Sequence, residues 1–168
     1  MSKPRILAID PGTTFMGAYT GHFTGQSDNK TYQFYSETLA FDPKKKRPER
    51  LSEAANALAN LCFNVRPDFV VYEMMFSRGD AATRALYGLC GIIESMAISH
   101  GSGVIALPQA TLAKWERSVL ELPKGKVNRK TQHQLVADHF GADTNNMSQD
   151  EIDAFCIYQY AVNEMEIA

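Results

Sequence analysis

The sequence has little net charge, few cysteines and no long apolar run. Its 17 basic and 19 acidic residues leave a formal net charge of −2, so the chain as a whole is not a polycation. The three cysteines, Cys62, Cys90 and Cys156, are odd in number, widely spaced and set in apolar stretches. This pattern predicts reduced core residues rather than a disulfide or zinc framework, and with them a reducing cytoplasm.

Signals for export and membrane insertion are also lacking. No stretch approaches the roughly 18 uninterrupted apolar residues of a membrane span, and an apolar run begins near the N-terminus without a charged leader or cleavage site. We therefore expect neither export nor membrane insertion. With 45% apolar content over 168 residues, the chain can bury a core of its own, and we expect one domain covering residues 1–168.

Charge is unevenly distributed along the chain. Basic residues concentrate in two blocks, 44–50 and 114–130, while the sequence after Lys130 contains seven acids and no Lys or Arg. Blocks of this kind contact backbone phosphates in nucleic-acid proteins. A solvated loop is an equally good interpretation of residues 44–50 taken alone.

Apolar periodicity predicts an α/β order of elements. Several short runs have the composition of strands, and the longer segments between and after them have helical spacing. This order favours a five-stranded mixed sheet flanked by helices, as in the RNase H-like architecture. The predicted strands are residues 5–10, 15–22, 32–40, 69–73 and 103–107, and the predicted helices are residues 48–65, 80–100, 111–122, 129–140 and a last helix after Ser148.

Two acids stand at the ends of apolar strands. Asp10 follows one such run and Glu73 another, and sites in open α/β sheets form beyond the carboxyl ends of their strands. Asp10 precedes Pro-Gly, so an ordinary turn residue is an alternative. Glu73 directly follows Phe-Val-Val-Tyr, where an acid is poorly placed for a solvated surface.

Two further acids begin the last helix. Ser148 and Glu151 have the spacing of a capping box, which places Asp150 and Asp153 one turn apart, on the same inward face as Ile157. Asp150 could instead serve only to favour the helix dipole.

Four carboxylates brought to one place would repel one another unless they bind protons or cations. Hard oxygen ligands favour Mg²⁺ or Mn²⁺ over Zn²⁺. Two such ions, about 3.5–4 Å apart, can activate a water and stabilise the leaving oxygen of a phosphodiester. The pattern therefore predicts metal-dependent phosphodiester hydrolysis.

Three short motifs resemble a known family. Residues 9–12 (Ile-Asp-Pro-Gly), 72–76 (Tyr-Glu-Met-Met-Phe) and 150–154 (Asp-Glu-Ile-Asp-Ala) resemble, in order, spacing and context, the acidic motifs of the RuvC family of Holliday-junction resolvases. The resemblance spans nearly the whole chain, but Ala8 stands where the family usually has Gly, and residues 123–128 look like an insertion. It implies an endonuclease of recombination and repair that makes paired symmetric nicks in four-way DNA junctions, with two Mg²⁺ or Mn²⁺ ions per site. A chain without the long C-terminal tail of many bacterial members is similar to phage-type relatives, which implies a bacterial or phage-infected cytoplasm.

The resemblance also implies roles for individual residues. Asp10, Glu73, Asp150 and Asp153 would be the catalytic metal ligands, and Lys130 would lie near the scissile phosphate. Phe76 would stack at the junction centre, although an aromatic after a buried strand is also typical of a core. The full set expected to contact DNA is Phe76, Arg78, Lys44, Lys45, Lys46, Arg47, Lys114, Lys124, Lys126 and Arg129. The histidines show no ligand spacing and are assigned no role: His22, His100, His133 and His139.

Helix 80–100 is apolar on two faces. One stripe is made largely of small residues and includes Ala85, Gly88 and Ile92. We expect one face to cover the sheet and the other a second subunit, in keeping with the homodimer that the resemblance implies. The alternative cover is residues 108–140 of the same chain. No membrane partner and no small-molecule cofactor are expected.

Two other functions compete with the nuclease. Residues 10–14 (Asp-Pro-Gly-Thr-Thr) resemble the first phosphate loop of actin- and sugar-kinase-like ATPases, but such proteins need a second domain and a second loop, so the chain would be a fragment. A junction-binding protein without cleavage would not need all four acids.

Overall fold

The computed structural model describes residues 4–24, 31–74, 80–123 and 127–165, without the side chains of residues 22–24, 31–33 and 80–82. These residues form a five-stranded sheet of order β3-β2-β1-β4-β5, in which β1 is antiparallel to β2 and parallel to β4. The predicted mixed sheet flanked by helices is confirmed. The elements are β1 (Ile6–Asp10), β2 (Phe15–Thr24), β3 (Thr31–Ala40), α1 (Arg47–Val65), β4 (Phe69–Met74), α2 (Asp80–Ser99), β5 (Gly103–Pro108), α3 (Gln109–Val119), α4 (Arg129–His139) and α5 (Gln149–Glu164).

Element boundaries differ from the prediction mainly where local backbone chemistry decides them. Helix α3 begins directly after Pro108, whose extended backbone caps it, and it ends before Glu121, which has a left-handed φ of 53°. A short 3-10 turn, Thr144–Asn146, precedes α5 and was not predicted. The strands β2 and β3 pair along ten residues each, so the first hairpin is longer than the apolar pattern alone indicated.

Alternation along β1 sorts its side chains onto two faces. Ile6 and Ala8 pack with residues of α3, α4 and α5, whereas Leu7 and Ile9 pack with residues of α1 and α2. Because successive strand residues point to opposite faces, Asp10 continues the row of Ile6 and Ala8. The acid at the end of β1 therefore faces α5.

The same alternation operates on β4. Val71 belongs to the cluster under α3, α4 and α5, while Val70 and Tyr72 belong to the cluster under α1 and α2. Glu73 continues the row of Val71. Asp10 and Glu73 thus emerge on one face of the sheet, at the carboxyl ends of neighbouring parallel strands.

A glycine allows α5 to approach the sheet at backbone distance. Gly17 pairs with Asp10 across β1 and β2, and a Cβ built on Gly17 would lie 1.8 Å from the carbonyl oxygen of Asp150. Only a residue without a side chain fits this contact. The start of α5 is also fixed by the predicted capping box, in which the amide of Ser148 donates to Glu151 at 2.7 Å and the amide of Glu151 donates to the Ser148 hydroxyl at 3.2 Å.

Helix α2 packs in part against α1 of the same chain, which was neither of the two covers expected from the sequence. A Cβ on Gly88 would lie 3.2 Å from the Arg47 guanidinium and 3.4 Å from Leu51, both on α1. At Gly88 the lack of a side chain lets α1 and α2 approach closely. The large apolar side chains that remain exposed on α2 are Tyr87 and Ile98.

Two further predictions can be compared with the structure. Cys62, Cys90 and Cys156 are free, the first and last of them buried, as expected. In the described part of the chain, no helix is both long and apolar enough to cross a membrane.

Candidate active site

Asp10 and Glu73 form the floor of the site. The parallel register pairs Ile9 with Tyr72, so the next residue along each strand is one of the two acids. Glu73 is only 3% exposed, and Asp10 is half-buried. The structure therefore brings these acids together as predicted.

Asp150 and Asp153 close the site from the α5 side. The negative charges of Asp153, Glu73 and Asp150 act on Asp10 in addition to its burial, and together they raise the pKa of Asp10 well above its usual range. Burial, followed by the charge of Asp153, also raises the pKa of Asp150. Like charges held this close favour a bound proton or a bound cation.

Arg129 compensates part of this negative charge. Its guanidinium donates to Glu73 Oε1 at 2.5 Å, and its side chain remains 31% exposed. Burial raises the pKa of Glu73, and the hydrogen bond and charge of Arg129 oppose that rise. Arg129 was expected to contact DNA, and the structure places it on the acid cluster.

A network of buried polar side chains lies beneath Asp153. The Nδ1 atom of His133 lies 2.6 Å from Asp153 Oδ1, and its Nε2 atom lies 2.9 Å from Glu116 Oε1. Gln132 donates to the other oxygen of Glu116 at 2.5 Å, and Gln149 donates to Asp153 Oδ1 at 2.6 Å. Glu116 is completely buried and His133 is 1% exposed.

His133 is held between two carboxylates. Burial alone would lower its pKa, but the hydrogen bonds to Asp153 and Glu116, with their charges, outweigh burial and raise the pKa of His133 to about 9. A raised pKa favours the charged form of the imidazole, which lies between the two carboxylates. Its charge and that of Arg129 offset part of the acid cluster.

His133 and Glu116 are the site residues that the sequence analysis missed. Helical spacing indicated both positions. His133 lies four residues after Arg129 and three residues before the buried Val136. Glu116 lies four residues after the buried Leu112. Both therefore occupy inward helix positions. A polar residue on an apolar helix stripe predicts a buried network, whereas the spacing among the histidines alone does not indicate one.

The other predicted site residues are exposed on the described structure or lie outside the described residues. Lys130 and Lys114 are exposed, on α4 and α3, and Lys130 is the immediate neighbour of Arg129. Lys44, Lys45, Lys46 and Arg47 are exposed at the start of α1. Four predicted DNA contacts lie outside the described residues: Phe76, Arg78, Lys124 and Lys126.

The basic segment before α1 belongs to the same edge of the sheet as the acids. Phe41 follows β3, and its amide donates to the carbonyl of Thr14 at 2.8 Å. The Arg50 guanidinium donates to the carbonyl of Thr13 at 3.2 Å. Residues 44–47 therefore begin beside the loop that follows Asp10. Lys45 is partly engaged by an ion pair with Glu53.

The donor set of the four acids fits a hard divalent cation. It consists of carboxylate oxygens, and the pKa of Asp10 is raised by burial and then by the negative charges of Asp153, Glu73 and Asp150. Glu116, His133 and Cys156 form a second close group, with donor atoms within 4.8 Å of one another. That group suits a metal less well, because His133 Nε2 already faces Glu116 and the Arg129 Nε at 3.1 Å, and burial raises the pKa of the Cys156 thiol well above its usual range.

Comparison with solved structures identifies the fold. RuvC from Thermus thermophilus superposes with a TM-score of 0.71 at 18% identity, covering 94% of this chain and 95% of that one. A second structure of that protein, in complex with a Holliday junction substrate, gives 0.69 over the same shares. The yeast mitochondrial Holliday junction resolvase Ydc2 gives 0.61 at 13% identity, covering 93% and 78%. The chain has the RuvC-type, RNase H-like fold.

Sequence comparison adds no relative. No protein-family model matches the chain, and no curated protein sequence matches it significantly. The fold is therefore shared with the resolvases at an identity where the function has to be argued from the site.

Proposed function

We propose that this protein is a metal-dependent endonuclease that cuts four-way and related branched DNA junctions. The observation that carries the proposal is the convergence of Asp10, Glu73, Asp150 and Asp153 at one edge of a RuvC-type sheet, where burial and the charges of the other three raise the pKa of Asp10. A fold shared with junction resolvases supports the choice of substrate.

The site has two proposed roles in the mechanism, metal binding and contact with the phosphate. The four acids would hold Mg²⁺ or Mn²⁺, two ions per site, which when bound supply an activated water and stabilise the leaving oxygen. Arg129 presents a partly exposed guanidinium beside Glu73, so an incoming phosphate oxygen meets a fixed positive charge. Lys130, exposed on the same turn of α4, is proposed to approach the scissile phosphate from outside.

The exposed basic residues are proposed to hold the DNA backbone. Lys44, Lys46 and Arg47 lie at the edge of the sheet that carries the acids, and Lys114 and Lys130 are exposed on α3 and α4. Contacts of this type give affinity without sequence preference. Four further residues are proposed from the sequence to contact DNA: Phe76, Arg78, Lys124 and Lys126. Phe76 is proposed to stack on a base at the branch point.

A cleavage assay tests the proposal directly. Purified protein is incubated with a labelled four-way junction, a linear duplex of the same sequence and, separately, ATP, in Mg²⁺, Mn²⁺ or Ca²⁺. We expect cleavage of the junction in Mg²⁺ or Mn²⁺, binding without cleavage in Ca²⁺ and no release of phosphate from ATP. Equal cleavage of the linear duplex would contradict junction selectivity, and phosphate release would favour the ATPase alternative.

We propose that two subunits make the paired nicks. Helix α2 leaves Tyr87 and Ile98 exposed, at 51% and 67%, with Gly91 open to solvent between them, and a two-fold dimer is the commonest way to cover such a face. Each subunit would contribute one set of four acids. Two related sites can then cut the two symmetric strands of one junction.

A supercoiled plasmid with an extruded cruciform tests paired cutting. Coordinated cuts give linear product, whereas independent cuts relax the plasmid after the first nick and leave nicked circles. Ile98→Asp should separate the subunits and shift the product to nicked circles, while Ser99→Asp, on the neighbouring exposed position, should keep the linear product. A wild-type protein that sediments as a monomer on junction DNA would contradict the dimer.

A further inference from the structure

We propose that the buried pair Glu116 and His133 positions Asp153 for cation binding. This inference rests on the proposed metal-dependent function and names residues that act through a ligand rather than on the substrate. It starts from the side chains that reach one oxygen of Asp153.

Two donors converge on Oδ1 of Asp153. His133 Nδ1 lies 2.6 Å from it, and Gln149 Nε2 donates to it at 2.6 Å. Both hydrogen bonds use the same oxygen, so they fix the rotation of the carboxylate and direct its other oxygen, Oδ2, away from the donors. Asp153 is 24% exposed, so a solvent ion can reach its carboxylate.

His133 can hold Asp153 only if its ring is held in turn. Glu116 Oε1 lies 2.9 Å from Nε2 on the opposite side of the ring, and Gln132 fixes Glu116 through a donation of 2.5 Å to Oε2 and one of 3.3 Å to the Ala113 carbonyl. The chain of contacts runs from the backbone of α3, through Glu116 and the imidazole, to the candidate ligand on α5. Every member before Asp153 is buried.

The direction of the first hydrogen bond does not depend on the charge of the ring. A neutral imidazole with its proton on Nδ1 donates to Asp153 and can accept from Arg129, whose Nε lies 3.1 Å from Nε2. A charged imidazole donates to both acids. In each state Nδ1 donates to Asp153, which is the arrangement that outer residues give to ligating carboxylates in metal sites.

Direct metal binding provides the main test. Mn²⁺ binding is measured by calorimetry on the full chain for wild type, Glu116→Gln, His133→Leu and His133→Asn. Loss of an outer partner weakens metal binding about 10–100-fold in known sites, and we expect Glu116→Gln and His133→Leu to show a loss of that size. His133→Asn, whose amide nitrogen can occupy the place of Nδ1, should restore part of the affinity.

A control separates positioning from loss of stability. Thr20→Val removes another buried hydrogen bond, from the Thr20 hydroxyl to the Ile6 carbonyl at 2.7 Å, in the middle of β2 and beside the start of β1, away from the acids. It should lower the melting temperature without changing Mn²⁺ affinity. Cys156→Ser, which alters a thiol 3.6 Å from the His133 carbonyl but not the imidazole contacts, should also leave the affinity unchanged. A loss in Cys156→Ser equal to that in Glu116→Gln would overturn positioning.

Junction cleavage gives a second, independent reading. A positioning role predicts that Glu116→Gln raises the Mg²⁺ concentration needed for half-maximal cleavage about tenfold or more, while the rate at saturating Mg²⁺ recovers to within a few-fold of wild type. A purely structural role would reduce the active fraction and leave the midpoint in place.

The outcomes distinguish this inference from the proposed function. If the wild type binds Mn²⁺ but cuts no branched DNA, the nuclease proposal fails, and the calorimetric comparison still decides the role of Glu116 and His133. If the wild type cuts branched DNA and the variants bind Mn²⁺ as tightly as the wild type does, the positioning role is contradicted and the nuclease proposal is not. Wild-type protein that binds no Mn²⁺ overturns both.

Discussion

The two faces of the sheet are built from the same strands but carry different chemistry. On the face covered by α1 and α2, the strand residues Leu7, Ile9, Val70 and Tyr72 meet a cluster dominated by aliphatic side chains. On the face covered by α3, α4 and α5, the strand rows end in Asp10 and Glu73 and meet a network of buried polar groups.

This difference shows how one sheet separates stability from function. The apolar face is stabilised by burial of apolar side chains, and such a core tolerates exchange of one apolar residue for another of similar volume. The polar face contains groups whose burial costs free energy unless each finds a partner. Gln132 donates to one oxygen of Glu116, and the His133 imidazole lies between Glu116 and Asp153, whereas Asp10 has a raised pKa and negative neighbours. The comparison predicts that substitutions on the two faces have separable effects.

The largest effect is expected from the acids. Glu73→Gln should reduce junction cleavage by about two to three orders of magnitude, as loss of one electrostatic element in a preorganised site commonly does. Junction binding in Ca²⁺ should survive, because the exposed lysines proposed to hold the DNA backbone are not altered by this change. Single-turnover cleavage and gel-shift titrations measure the two quantities. Near-normal turnover would remove Glu73 from the site.

A core substitution on the apolar face should reduce stability and leave cleavage almost unchanged. Leu58, on α1, is 1% exposed, and Leu58→Ala should lower the free energy of unfolding by about 2–5 kcal/mol through lost transfer energy and the cavity. Denaturant titration measures this loss. Cleavage well below the melting temperature should stay close to wild type, and a cleavage defect as large as that of Glu73→Gln would contradict the separation of the faces.

Neutralising an acid on the polar face should stabilise the metal-free protein. The pKa of Asp10 is raised in the folded state, so its ionisation disfavours folding increasingly as the pH rises above the unfolded pKa of about 3.9. Asp10→Asn should then raise the melting temperature at neutral pH by about 2–4 °C, the shift that one kcal/mol produces in a chain of this size. The gain should shrink as the pH falls and on addition of Mg²⁺. Asp138→Asn, at an exposed position, is the matched control and should show no such gain.

The basic segment before α1, residues 44–47, should affect how DNA affinity depends on salt. Replacing Lys44 and Lys46 by Ala should flatten the slope of log affinity against log salt by about 0.9 for each lost phosphate contact. Lys45→Ala should change the slope less, because its ammonium already contacts Glu53. Sequence preference should be unaffected. An unchanged slope in the double variant would place the DNA elsewhere.

The smallest effect is expected at the start of α5. Ser148→Ala removes the capping hydroxyl that accepts from the Glu151 amide and should cost about 1 kcal/mol of stability. The Ser148 hydroxyl also lies 2.5 Å from the Thr38 hydroxyl on β3, and the same change removes this contact, so Asp150 should be held less firmly and cleavage should fall a few-fold. Ser148→Asp, which keeps a capping oxygen, should retain the stability, and equal destabilisation in both variants would argue against the cap.

Local patterns were sufficient wherever a single element carried the information. The capping box at Ser148 and Glu151, the strand-end acids and the three free cysteines were all predictable, because propensity, capping and apolar periodicity act over a few residues. The sequence indicated that the small-residue stripe on α2 is buried. It did not indicate that α1 packs against it at Gly88, because apolar periodicity predicts that a helix face is buried and does not predict which element covers it.

The sequence by itself determined the α/β order and placed four acids where a sheet and a helix could bring them together. Only the tertiary structure decided that Arg129 turns to Glu73, that Gly17 lets α5 reach β2, and that Glu116 and His133 join α3 and α4 to Asp153. These contacts join residues far apart in the chain, and their geometry depends on how the helices pack on the sheet. Local sequence can specify which groups are available, but burial and distance, set by packing, decide which of them interact.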